Sequence, residues 1–231
     1  MLFYGIDRYT LMLVIPAFLF ALYAQFKVKG TFNKYRQYAN WRGLTGADVA
    51  REILRQNGLY DVAVEPTRGE LTDHYDPKHR VVRLSEAVYG STSVAAIGVA
   101  AHETGHAIQH KVGYAPLGLR SSLVPIAGIG SSIGPYMAIF GLVFGTPLLT
   151  NLGIILFTVA VAFYLITLPV EFNASSRAVR VLESTGMLTQ DELEPVKKVL
   201  RAAAMTYVAS AAVAMAQLLR LVLLANNRRD D

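Results

Sequence analysis

The chain has 231 residues, of which 53% are hydrophobic and only 17% charged, and its mean hydropathy is positive. That is too apolar for an ordinary soluble domain of this length, so membrane-spanning segments must carry the excess. A formal charge of +5 with no stacked basic and aromatic array argues against a nucleic-acid partner, and the absence of cysteine excludes a disulfide scaffold or a thiolate metal site.

The first apolar segment runs from Tyr9 to Phe26, interrupted by Pro16 and closed by Gln25 and Lys27. Its basic flank (Lys27, Lys29, Lys34, Arg36) follows the segment and no small-residue cleavage site succeeds it, which reads as an uncleaved anchor and not a signal peptide. Beyond it a small α+β region is expected. Thr45 is placed to cap a helix from Gly46 to Gln56 that puts Val49, Ile53 and Leu54 on one face and ends at Gly58. Asp61 to Glu65 and Val81 to Leu84 alternate as short strands, and Glu65 to Asp76 between them is rich in turn residues. Extended peptides often add along an exposed strand edge, and the strand just before the next helix is either such an edge or an ordinary brace for that helix. His74 and His79, beside Asp73 and Asp76, read as solvated turn residues.

Val94 to His110, VAAIGVAAHETGHAIQH, is the stretch that carries chemistry. A cap at Ser91, Thr92 or Ser93 starts a helix, and Gly113 followed by Pro116 stops it. His102 and His106, at i and i+4, project from one face and can share a zinc ion, while Glu103 reaches a water in the open coordination position. A third protein ligand is then required. His110 lies eight residues from His102, about 12 Å along a straight helix, which one ion cannot bridge. The better placed residue is Glu171 in LPVEFNASSRAVRVLESTG. Pro169 there reads as the start of a new helix ending at Gly186, whose dipole would favour an ionised carboxylate in its first turn.

Between the histidines and Glu171 lie two further apolar segments, Leu123 to Phe144 and Leu148 to Val170, joined at Gly145, Thr146 and Pro147. They form a helical hairpin that returns the chain to the side it left. Gly128, Gly130, Ser131, Ser132 and Gly134 would let helices approach closely. Tyr207 to Ala225 is a fourth span, with Arg220 either snorkelling or facing a wet groove. Most of the 22 basic residues lie in Lys27 to Arg120 and Glu171 to Arg201, so the positive-inside rule places both segments in the cytoplasm and the amino terminus outside. Arg228 and Arg229 dissent.

HETGHAIQ, the upstream DHYDP and RLSEAVY, LPVEFNASSRA and the late RAAAMTYVA together resemble the YugP-type neutral zinc metallopeptidases of bacterial membranes, over nearly the whole chain. More distantly the layout is similar to the HtpX-type and CAAX prenyl-protein membrane proteases, in which the third ligand opens a Glu-Phe-x-Ala-Asp pattern. Here that pattern reads Glu171, Phe172, Asn173, Ala174, Ser175. The resemblance implies His102, His106 and Glu171 as ligands of one zinc ion and Glu103 as catalytic base. Ser175 stands where an Asp would orient a ligand imidazole, which leaves another acid, Asp73 or Asp76, to do so.

The expected protein is therefore a mainly α integral membrane protein of about four transmembrane helices with a small α+β, zincin-like catalytic portion. Its expected parts are an anchor (1–26), a cytoplasmic catalytic region (27–122), a transmembrane hairpin (123–170), cytoplasmic helices with the third ligand (171–206), and a last membrane helix with its tail (207–231). The expected activity is hydrolysis of peptide bonds in peptides or membrane proteins, at the cytoplasmic face of a bacterial cell membrane. Tyr207, Arg177, Arg201 and His74 are candidates to stabilise the oxyanion, Tyr207 being preferred for its place at the entry to the last helix. The rival classes are a catalytically weak zinc-binding assembly or adaptor protein and a protease cutting inside the bilayer. Against the latter, only eight apolar residues, Val94 to Ala101, precede His102. Homo-oligomerisation and an adaptor stay open.

Overall fold

The computed structural model describes residues 7–227. The first six residues of the anchor, and Arg228 and Arg229 of the tail, lie outside the described residues. Among those described, four helices are long and apolar enough to cross a membrane: Thr10–Tyr35, Ala115–Phe144, Pro147–Ser184 and Gln190–Asn227. The protein is thus a mainly helical, multi-pass membrane protein with a small mixed sheet. The chain divides into two compact units, one of residues 1–25, 119–168 and 206–231, the other of residues 26–118 and 169–205.

In the second unit, the end of α1 (Ile15–Tyr35) leads to α2 (Gly46–Gln56), which begins with a reciprocal cap. Asp48 N–H donates to Thr45 Oγ1 at 3.1 Å, and Thr45 N–H donates to Asp48 Oδ2 at 3.0 Å. The cap leaves Val49, Ile53 and Leu54 buried on one face. Gly58 ends the turn at φ +63°, a conformation that would strain an L side chain. Three strands follow, β1 (Ala63–Thr67), β2 (His74–Asp76) and β3 (Val81–Ser85), in the order β1-β3-β2. β3 pairs parallel with β1 and antiparallel with β2.

This corrects the sequence reading twice. The turn-rich stretch contains a strand, β2, three residues long, too short for alternation to reveal. And β3, the strand expected to offer a free edge, is central, with both sides bonded; the edges are β1 and β2, of which β2 packs against the helix that follows. After the short α3 (Glu86–Tyr89), α4 (Val94–Lys111) forms the centre of this unit. Ser93 caps it, Oγ accepting from Ala96 N–H at 3.2 Å. Most of its circumference is buried, which is why it carries small and apolar residues all round instead of an amphipathic stripe.

The first unit holds the apolar lengths of α1, α5 (Ala115–Phe144), α6 (Pro147–Ser184) and α7 (Gln190–Asn227). The turn between α5 and α6 passes through Gly145 at φ +69°. Small residues set the closeness of these two helices. A Cβ at Gly130 would lie 2.3 Å from Leu156 O, and one at Gly153 2.4 Å from Ala138 N. Gly128, by contrast, has open space. Arg220, partly buried, has a partner: its Nε and Nη2 donate to Asp7 Oδ2 at 3.0 and 2.8 Å. Asp7 also accepts from the Thr10 N–H and hydroxyl, at 2.9 and 2.7 Å, so the pair ties the start of the first span to the last one.

The contrast between the glycines is testable. Gly153→Val should lower the melting temperature of the detergent-solubilised protein by roughly 5 °C, the cost of overpacking a close contact, whereas Gly128→Ala should leave it unchanged. Equal effects of the two substitutions would show that close helix approach is not what Gly153 serves.

Candidate metal centre

α4 presents His102 and His106 on one face because four residues turn a helix by little more than a full revolution. Glu171 reaches the same point from α6. The helix is not the one the sequence reading drew: α6 runs unbroken through Pro169, so Glu171 sits in its interior and the dipole argument for its ionisation does not apply. Proline removes one N–H from the ladder, a loss that α6 offsets by burying Val170, Ala174, Ala178 and Leu182 on the face that follows. Gly105 permits the approach. A Cβ there would lie 2.7 Å from Ala174 O, so any side chain would force α4 and this part of α6 apart.

The donor atoms of His102, His106 and Glu171 all lie within 4.8 Å of one another. Glu171 Oε2 is 3.2 Å from His102 Nε2 and 3.5 Å from His106 Nε2. Three ligands each ~2.1 Å from a tetrahedral ion would stand about 3.4 Å apart, so the spacing fits zinc. The charge fits as well. Glu171 is only 2% exposed and Glu103 8%, and two buried carboxylates beside neutral imidazoles need a dication to balance them. A single Zn2+ is therefore the cofactor that this donor set selects, with His102, His106 and Glu171 to hold it.

Hydrogen bonds fix how the imidazoles present themselves. Arg177 can only donate, and its Nε donates to Asn173 Oδ1 at 2.7 Å. That oxygen also accepts from Gln109 Nε2 at 3.0 Å, and Gln109 Nε2 donates to Val170 O at 2.8 Å. The amide of Gln109 is thereby oriented with Oε1 towards His106 Nδ1, 2.9 Å away, so Nδ1 carries the proton and Nε2 faces the site with its lone pair. For His102 the partner is Ser175 Oγ, 3.1 Å from Nδ1. The expected acid support is absent. Asp73 accepts from the N–H and hydroxyl of Ser85, at 2.7 and 3.0 Å, and Asp76 from His79 and Arg83, at 2.6 and 3.0 Å. Gln109 and Asn173 escaped the sequence reading, although a glutamine three residues after a ligand histidine, in an otherwise apolar helix, is the signal that could have found them.

Glu103 is buried, and burial pushes its carboxyl above the usual carboxylate range against the opposing pull of His102 and His106. His106 is shifted up: burial opposes its charge, and Glu171 and Glu103 outweigh it. The other titratable residues of this unit that the sequence singles out lie outside this cluster. His110 is exposed and shares a 2.9 Å hydrogen bond between Nδ1 and the Tyr75 hydroxyl. His74 is exposed, its Nδ1 2.8 Å from Thr72 O, and His79 pairs with Asp76. Arg177 is engaged with Asn173, and Arg201 is exposed on α7. Tyr207, also on α7, belongs to the first unit.

A buried His-Glu-x-x-His helix completed by a glutamate from a second helix, in a chain with four candidate spans, defines a membrane-bound zinc metallopeptidase. A family model described as "Putative neutral zinc metallopeptidase" matches residues 10–226, and the chain belongs to that family. It is 52% identical over 219 residues to the "Putative membrane protease YugP" of Bacillus subtilis (strain 168), a match covering 95% of this chain and 97% of that protein. No solved structure matches.

The ligand set and its support can be separated by measuring zinc per protein after dialysis against a weak chelator, with folding checked by circular dichroism. Glu171→Ala should lose the ion and His110→Ala should keep it. Gln109→Leu, close to isosteric, should weaken binding by about ten- to a hundredfold. Full occupancy in Glu171→Ala together with loss in His110→Ala would refute the centre.

Proposed function

We propose that this metallopeptidase is an endopeptidase acting on membrane proteins or membrane-associated peptides at the cytoplasmic face of a bacterial cell membrane, with Glu103 as proton acceptor. The observation that supports it most directly is a buried carboxylate, Glu103, on the same helix as two ligand imidazoles and next in the chain to one of them. Zinc, when bound, supplies polarisation of the scissile carbonyl and lowers the pKa of a coordinated water from ~15.7 to about 7. Glu103 then removes the proton from the attacking water and passes it to the leaving amine. Tyr207 is our choice for the hydrogen bond to the oxyanion, a role in which loss of one donor costs about a hundredfold or more in turnover. Extended substrate would add to the sheet at β2, whose outer edge is the one flanking the helix face of α4.

The cytoplasmic placement rests on charge. Outside the second unit the basic residues are Arg8, Arg120, Arg220 and the tail pair Arg228 and Arg229; all the others lie within it. We place residues 27–122 and 171–206 together on that side as the catalytic portion, with 1–26, 123–170 and 207–231 forming the membrane-embedded parts.

Two experiments test this reading. Glu103→Gln should bind zinc as the parent does and lose nearly all peptide hydrolysis; undiminished turnover would remove the base assignment and favour a zinc-binding assembly role. For topology, single cysteines at Asp61 and Gln190, introduced into a chain that has none, should react with an impermeant thiol reagent only after lysis. Labelling of both in intact cells would put the catalytic portion outside.

A further inference from the structure

The second unit contains a cavity of about 510 Å3 between the lower turns of α1 and the middle of α7. It lies apart from the metal centre in composition: no ligand residue lines it. On α1 the lining residues include Lys27, Gly30 and Lys34, and on α7 Lys198, Arg201 and Met205. The two helices use the same spacing, i, i+3 and i+7, so each turns one continuous stripe into the cavity. Four cations line it and no acid does. None of the four makes a close ion pair among the described residues; Glu194, which pairs with Lys197 at 2.8 Å and attracts Lys198 and Arg201 from further away, does not line the cavity. Like charges gathered around one space repel, so an anion there is favoured electrostatically.

Apolar residues decide which anion. Phe26, 75% exposed, lines the cavity beside Lys27, and Met205 lines it beside Ala202. These are the residues at which α1 and α7 continue along the chain into the apolar lengths of their spans. A ligand matching this order has a phosphate for the lysines and arginine and hydrocarbon for Phe26 and Met205. Gly30 leaves the wall open: a Cβ there would meet nothing within 4 Å. The volume suits a glycerophosphate headgroup.

We propose that this cavity binds the phosphate-bearing headgroup of an anionic phospholipid, with Lys34, Lys198 and Arg201 as its anion-binding residues. The site is independent of the peptidase reading and rests only on the protein being embedded in a bilayer. Its occupant would tether the catalytic unit to the membrane surface through the anionic lipid content of the leaflet.

The test is lipid retention by the full-length protein, released from nanodiscs of phosphatidylcholine with one fifth phosphatidylglycerol and read by native mass spectrometry. Phosphatidylglycerol should be retained well above its share, and Lys34→Gln/Lys198→Gln/Arg201→Gln should lower that retention by about a hundredfold, near fivefold per cation. Gly30→Glu, which sets a carboxylate in open space without disturbing packing, should abolish it while leaving the melting temperature unchanged. Lys29→Gln/Arg36→Gln/Arg42→Gln removes equal charge from the same unit outside the cavity and should have little effect. Equal retention of the two lipids, or equal loss from both triple variants, would overturn the proposal in favour of diffuse basic charge. Displacement of phosphatidylglycerol by millimolar inorganic phosphate would overturn it in favour of a simple anion site.

Discussion

The approach of α4 to the second half of α6 at Gly105 is the contact on which the rest depends. A zinc ligand set tolerates errors of only a few tenths of an ångström, and two of its members stand on one helix while the third stands on another. The distance between those helices therefore becomes a chemical quantity. Gly105, one residue before a ligand histidine, removes the Cβ that would meet the Ala174 carbonyl at 2.7 Å. The small residues on either side, Ala101 and Ala107, continue that low relief. The same logic holds α5 to α6 through Gly130, Gly141 and Gly153, so close helix approach with little side-chain volume serves both units.

Closeness alone would leave the imidazoles free to rotate and to exchange tautomers. The chain from Arg177 through Asn173 and Gln109 to His106 removes that freedom, because its first member can only donate and each later amide has a single consistent orientation. Gln109 is wholly buried and satisfied at both ends, the condition under which a buried polar group specifies structure instead of costing stability. His102 has the lighter support of a serine hydroxyl. An amide and a hydroxyl are both neutral, so the negative charge at the centre comes from Glu171 and Glu103 alone. A carboxylate at position 175 would have added a third.

What the sequence revealed and what it hid follow from range. The metal helix, its cap and its stop were legible because i, i+4 spacing and capping chemistry act within one or two turns. Glu171 was reached by a topological argument about a returning hairpin, but the local reason attached to it failed. Pro169 reads locally as a helix start, but in a long helix already supported on both sides one missing hydrogen bond does not end it. β2 hid in a run of Asp, His and Pro residues because a three-residue strand is defined by its partner β3, not by its own pattern. Asp7 likewise had no signal of its own, and its meaning appears only with Arg220, more than two hundred residues away.

The two polar devices of the molecule obey one rule under different solvation. Arg220, on a helix otherwise fit for hydrocarbon, is met by a carboxylate that two further hydrogen bonds hold in place, so neither charge stands unpaired. At the metal centre the carboxylates outnumber their fixed positive partners, and the imbalance is left for an ion to correct. A structural pair closes its own electrostatics; a site that must bind a cation and move a proton cannot. The excess of buried negative charge around His102 and His106 is thus the mark that distinguishes this cluster from the other ion pairs of the chain, and it is what the fold around Gly105 is arranged to maintain.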